Sequence, residues 1–196
     1  MPSDERLIEL IKKRDESAFV ELYEKFSGRL FGVCLRYSKS SADAEDLLQE
    51  SFVKIFENIQ NYKGTGSFEG WLRRITVNNC INYYRKTITE KVIASDNYVV
   101  DDIVEETVFS KLATDDILNL IQELPEGYKI VFNMFVIEGY KHSEIAEILG
   151  FTESTSKTQL LKAKKQLMER VIELYPSLVE DHKGTDNKND KKLVLG

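Results

Sequence analysis

The chain has 196 residues, enough for one ordinary domain or two small ones, and its 42% apolar and 31% charged composition predicts a packed protein. Two cysteines, Cys34 and Cys80, cannot build a disulfide framework, the first thirty residues lack a signal-peptide core, and no apolar run reaches membrane-spanning length. The expectation is a cytoplasmic protein with no membrane insertion. A net charge of −6 argues against a nucleic-acid partner until its distribution is considered. Lys63 to Lys86 carries five cations against Glu69, and Thr155 to Arg170 carries five against Glu169. Between them, Glu90 to Asp116 holds eight acids and two lysines. Two basic patches could meet a polyanion at two places, and ordinary solvated helix faces explain the same charges.

Periodicity predicts helix nearly throughout. Phe19, Leu22, Tyr23 and Phe26 recur at helical spacing behind Asp15, a suitable N-cap. Ser41 is the expected cap of the next helix, whose apolar face is Leu48, Phe52, Ile55, Phe56 and Ile59. Its opening run places Asp43, Glu45, Asp46, Gln49 and Glu50 opposite that face. Acids at a helix N-terminus favour the dipole, but four exceed what one cap needs, so a docking surface for a basic partner is a second reading.

Gly64-Thr65-Gly66 breaks the pattern, and Ser67 then caps a helix packed through Phe68, Trp71, Leu72 and Ile75. Steps of four, four and three place Arg74, Asn78, Asn82 and Arg85 on another stripe of it. Carboxamides can pair with base edges, guanidiniums with phosphates, and Tyr83 offers a stacking surface. Trp71 reads as core, and Asn78 reads equally as a buried polar residue satisfying a loop. Residues 88–112 are acidic and weakly patterned, which predicts a linker.

Ile117, Leu120, Ile121 and Leu124 open a second helical group, with Gly139 and Gly150 at C-cap positions. Ser143 to Leu149 forms a short amphipathic helix, Gly150 permits a tight turn, and Thr152 can cap a helix beginning near Glu153. That helix would bury Leu160, Ala163, Leu167 and Val171 and present Ser154, Thr155, Lys157, Thr158, Gln159, Lys162 and Lys165. The geometry fits a helix-turn-helix, whose second helix reads a groove with its N-terminal side chains, and also a plain αα-hairpin with a lysine-rich surface. The predicted fold is all-α: two small helical domains, residues 1–87 and 113–176, joined by the acidic linker 88–112, with a disordered tail over 177–196. His142 and His182 are the only histidines, and no metal-ligand cluster, nucleophile–base pair or phosphate-binding loop is present in the sequence. The expectation is a non-enzyme without metal or cofactor.

These constellations, in this order, resemble the extracytoplasmic-function (ECF) subgroup of the bacterial sigma-70 family. Asp43-Ala44-Glu45-Asp46-Leu47-Leu48-Gln49-Glu50 and the residues after it resemble region 2.2, Phe68 to Lys86 resembles regions 2.3 and 2.4, and Leu124 to Leu167 resembles region 4. The resemblance implies that Asp43, Glu45, Asp46, Gln49 and Glu50 dock on the β′ coiled coil of core RNA polymerase. It implies that Asn61, Lys63 and Ser67 in the loop, with Arg74, Asn78, Asn82, Tyr83 and Arg85 after it, capture bases of the −10 element. The second region-4 helix would enter the major groove at the −35 element while apolar surface nearby meets the β flap. An anti-sigma factor is a further partner known for such proteins, and no motif here specifies one. The family usually carries valine at Ser156 and arginine at Gln159, Lys162 and Lys164; lysine keeps the charge but loses the bidentate fork.

Opening about ten base-pair steps costs on the order of 14 kcal/mol, whereas each stacked base returns roughly 1–3 kcal/mol. A chain without a nucleotide-hydrolysis motif must therefore share promoter opening with a larger machine. The competing readings are a free-standing helix-turn-helix regulator and an all-helical interaction protein. The acidic run at Asp43 to Glu50 separates a sigma factor from the free-standing regulator, because a plain regulator has no need for it.

Overall fold

The computed structural model describes residues 4–88 and 114–176, so the expected linker beyond Ile88 and the expected disordered tail both lie outside the described residues. The chain divides into two compact units, Met1–Ile93 and Ala94–Gly196. All secondary structure among the described residues is helical.

In the first unit, α1 (Asp4–Lys12), α2 (Glu16–Tyr37), α3 (Ser41–Asn58) and α4 (Phe68–Ile88) enclose one core, with a 3₁₀ turn over Ile59–Asn61. Asp15 caps α2 by accepting the Ala18 N–H at 3.1 Å. Ser40, rather than the expected Ser41, caps α3: its hydroxyl oxygen accepts the Asp43 N–H at 3.1 Å, the third-residue amide that an N-cap side chain reaches. Leu22 and Phe26 of α2, Leu47, Leu48 and Ile55 of α3, and Phe68, Leu72, Val77 and Ile81 of α4 are buried. Phe26 meets Phe68 edge-on, their ring centres 5.9 Å apart, and Trp71 stays half-buried beside Tyr62 at 5.3 Å.

Polar groups sit inside the α3–α4 seam. Asn79 is 2% exposed and donates from Nδ2 to the Leu47 carbonyl at 3.2 Å and to Ser51 Oγ at 3.1 Å. Lys54 Nζ donates to Asn79 Oδ1, and Ser51 donates to the Leu47 carbonyl at 2.6 Å. One carboxamide thereby bridges two helices with both ends used.

In the second unit, α5 (Thr114–Glu123), α6 (Glu126–Phe132), α7 (His142–Leu149) and α8 (Glu153–Leu174) surround Leu120, Ile121, Ile130, Val131, Met134, Ile145, Leu160, Ala163 and Leu167. A π-helical turn over Asn133–Ile137 follows α6, a device no periodicity signalled. Gly150 ends α7 at φ 76°, a left-handed conformation in which a Cβ would be strained, and the Gly150 N–H donates to the Ala146 carbonyl at 2.9 Å. Thr152 caps α8 by accepting the Thr155 N–H at 3.1 Å. Arg170 ties α8 to the end of α5 through Glu123 at 2.8 Å.

Ser156, at the apolar position facing α7, is fully buried. Its hydroxyl meets His142 Nδ1 at 2.8 Å, and the His142 ring stacks on Phe135 of the π turn at 4.3 Å. The partner of this buried serine is thus an imidazole from the neighbouring helix. Burial first, and the Lys157 ammonium second, hold the His142 pKa below its ordinary value of 6.5; Lys164 adds to this and Glu153 opposes it.

Two stability effects follow. Asn79→Ala should lower the unfolding free energy of the first unit by about 1–3 kcal/mol, read as a shifted urea midpoint in the fluorescence of Trp71, the single tryptophan; an unmoved midpoint would show that the seam does not need the bridge. For His142, a pKa lowered in the folded state means that the folded protein binds fewer protons than the unfolded chain. Its contribution is therefore complete above about pH 6.5 and declines as the solution is acidified through the folded-state pKa. Melting of the second unit between pH 7.5 and 5.5 should show this decline, and His142→Phe should remove it.

Candidate nucleic-acid interface

On α3, Glu45, Asp46, Gln49 and Glu50 are all exposed, opposite the buried Ala44, Leu47, Leu48, Ser51 and Ile55. None of the four side chains has a hydrogen bond or ion pair among the described residues. Asp43 differs: it is half-buried and its Oδ2 accepts the Ser40 hydroxyl at 2.8 Å, so part of its carboxylate is spent on the cap.

Four aromatic side chains expected in the core instead line a surface groove. Phe19 and Tyr23 of α2 and Phe52 and Phe56 of α3, with Val53 and Glu16, bound an open cavity of about 450 Å³. Phe19 and Phe56 lie 4.0 Å apart, and the Arg14 guanidinium sits 4.2 Å above the Phe56 ring. Tyr23 is 46% and Val53 57% exposed. The missed signal was an apolar face wider than one neighbour can cover, with Val20 and Val53 outside the core stripe.

The loop before α4 is pinned from below and open above. Lys12 Nζ donates to the Tyr62 carbonyl at 2.8 Å, Gln60 donates to the Lys12 carbonyl at 2.7 Å, and the Tyr62 hydroxyl donates to the Gly66 carbonyl at 3.0 Å. Gly64 and Gly66 take φ of 75° and 81°, the conformations that turn the chain around this anchor. Asn61, Lys63 and Ser67 are exposed; Ser67 also accepts the Gly70 N–H at 3.3 Å, which uses its oxygen as a cap.

Along α4, Arg74, Asn78, Asn82 and Arg85 share one exposed stripe, and Tyr83 is half-buried beside it. Of the two adjacent asparagines, Asn79 is the buried polar residue and Asn78 faces solvent, so Asn78 is not the buried polar residue. An unpaired base would meet two carboxamides, with guanidiniums at both ends for phosphates.

At the start of α8, Ser154 and Lys157 are exposed and Thr155 and Thr158 half-buried. The Thr155 hydroxyl lies 2.9 Å from that of Thr152, and Lys157 Nζ lies 3.9 Å from Glu153. Lys165 is exposed and Lys162 half-buried further along. Gln159 does not belong to this surface. It is only 8% exposed, and its Oε1 would stand 3.2 Å from a Cβ on Gly127, at the first turn of α6. The reason is that α8 is covered by α6 as well as by α7, so its interior face extends past the expected stripe to include Ser156 and Gln159. No described helix is long and apolar enough to cross a membrane, and no cluster of three metal-ligating side chains occurs among the described residues.

Comparison with known proteins gives these surfaces their context. Residues 22–88 match the family described as Sigma-70 region 2, and residues 114–167 match Sigma-70, region 4. The chain is 29% identical over 181 residues to the ECF RNA polymerase sigma-E factor of Haemophilus influenzae, covering 86% of this chain and 95% of that protein. It is 27% identical over 179 residues to the ECF RNA polymerase sigma factor SigW of Bacillus subtilis, covering 85% and 96%. It is 31% identical over 153 residues to the ECF RNA polymerase sigma factor SigE of Mycolicibacterium smegmatis, covering 75% and 59%. A solved structure, CnrH in complex with the cytosolic domain of CnrY, aligns over 84% of this chain and 94% of that one at 18% identity and a TM-score of 0.45. Two regions are matched in order, and the Haemophilus influenzae and Bacillus subtilis relatives are spanned almost end to end: the chain belongs to the ECF subgroup of the sigma-70 family, a non-enzymatic RNA polymerase sigma factor that directs promoter recognition.

Proposed function

We propose a residue-level division of this activity. The first unit docks on the β′ coiled coil of core polymerase through Glu45, Asp46, Gln49 and Glu50, with Asp43 setting the helix start. It captures −10 bases with Asn61, Lys63, Asn78 and Asn82, while Arg74, Arg85, Tyr83 and Ser67 hold backbone and stacking positions. The second unit reads the −35 element with Ser154, Thr155, Lys157 and Thr158, and Lys162 and Lys165 reach phosphates. Exposed Val136, Ile172 and Leu174 are the apolar surface available to the β flap. The work is cytoplasmic, where the polymerase is, and an anti-sigma factor would act by covering one of these surfaces.

The observation that carries this reading is the Asn79 bridge, because it locks the acidic face of α3 to the carboxamide stripe of α4. A docking contact on one helix thereby fixes where the other meets the opened strand. Net charge −6 is consistent with weak binding of the free protein to duplex DNA, so that promoter affinity belongs to the complex.

Reversing charge at Asp46 and Glu50 together should weaken comigration with core polymerase, and normal comigration would remove the α3 face as the docking surface. Asn78→Ala should leave comigration intact and reduce open-complex yield on the order of tenfold, about the worth of one stacked or captured base. Equal yield from the variant would exclude Asn78 from the −10 site.

A further inference from the structure

The interior of the helix-turn-helix holds a polar pair that the DNA-facing surface does not account for. Ser156 lies one turn into α8, between Thr155 and Lys157, and is sealed from solvent. A hydroxyl sealed there needs a hydrogen-bond partner, and the one it has comes from another helix: His142 Nδ1, at 2.8 Å. His142 is itself oriented. It occupies the first position of α7, where the Lys141 N–H donates to Glu144 Oε2 at 2.7 Å, and its ring lies nearly parallel to Phe135, 20° apart in plane at 4.3 Å. Stacking leaves the imidazole little freedom to swing away, so Nδ1 stays aimed at Ser156. A branched apolar residue at this position would pack without directional preference; a hydrogen bond specifies both distance and angle.

We propose that His142 is a positioning residue for −35 recognition: held by Phe135, it fixes the Ser156 hydroxyl and thereby the pose in which the first turns of α8 present Ser154, Thr155 and Lys157 to DNA. The π turn is part of the device, because it carries Phe135. The bond holds with either tautomer, since a neutral imidazole can accept from the hydroxyl or donate to it. Groups facing His142 from α8 are Glu153, Lys157 and Lys164, so the pair lies under the charged surface that would meet phosphates. The inference rests on α8 being the −35 reading helix, and the test separates the two.

Holoenzyme reconstituted from core polymerase and the full chain would transcribe a template library randomised at both promoter segments, with the start sites and their upstream sequences read out. The wild type should show preferences at both. His142→Phe keeps the stacked ring and removes Nδ1; it should flatten the −35 preference by about three- to tenfold, the worth of one hydrogen bond, and leave the −10 preference unchanged. Ser156→Ala should do the same, and the double variant no more than either alone. His142→Asn, which offers an amide near the place of Nδ1, should restore the preference. If His142→Phe fails to fold, as judged by circular dichroism, Ser156→Ala carries the test alone. An unchanged −35 preference, additive single effects, or an equal loss at both segments would overturn the positioning role. A wild-type holoenzyme with no −35 preference would overturn instead the reading of α8 on which the role depends.

Discussion

A polar side chain buried in the seam between two helices destabilises them unless its hydrogen-bonding atoms are met, and when they are met it dictates how the helices sit. Both units of this sigma factor are organised around that constraint. In the first, Asn79 reaches from α4 to the Leu47 carbonyl, Ser51 and Lys54 on α3. In the second, Ser156 of α8 reaches His142 of α7. Apolar burial supplies the drive to fold in each case, but it is tolerant of small slides and rotations. The polar contacts remove that tolerance at these two seams.

What each seam orients is the outer face of the same helices. The α3 acids and the α4 stripe point away from the Asn79 bridge, just as the α8 N-terminal hydroxyls and Lys157 lie beside Ser156 along the sequence. Each unit is small, and each proposed contact surface occupies only a few turns of helix. Under the proposed division, specificity for a promoter comes from using both units at once on the polymerase, where weak contacts add because they share one complex. Basic patches confined to the two modules and a negative total suit that arrangement.

The groove between α2 and α3 follows from the same economy of neighbours. Three partners pack α2 and α3 within the unit, and the apolar residues left over, Phe19, Tyr23, Phe52, Val53 and Phe56, cluster on the outside. Arg14 lies over the ring of Phe56, but no described residue closes the groove. It adjoins the exposed acids of α3, which gives that helix a mixed apolar and anionic face.

The sequence by itself determined the helical class, the order of the elements, most caps, and the family, because those depend on local spacing and on motifs that survive as strings of residues. Asp15, Thr152 and Gly150 were legible since a cap acts within four residues of itself. The exposed stripe of Arg74, Asn78, Asn82 and Arg85 was legible because a helix repeats every 3.6 residues. Only the tertiary structure decided which apolar face is truly covered, that Gln159 is interior, that Asn79 and not Asn78 is the buried amide, and that the partner of Ser156 is His142. Those facts depend on how many neighbours each helix has and on pairs separated by fourteen to thirty-two positions, and neither quantity is written in the periodicity of one segment.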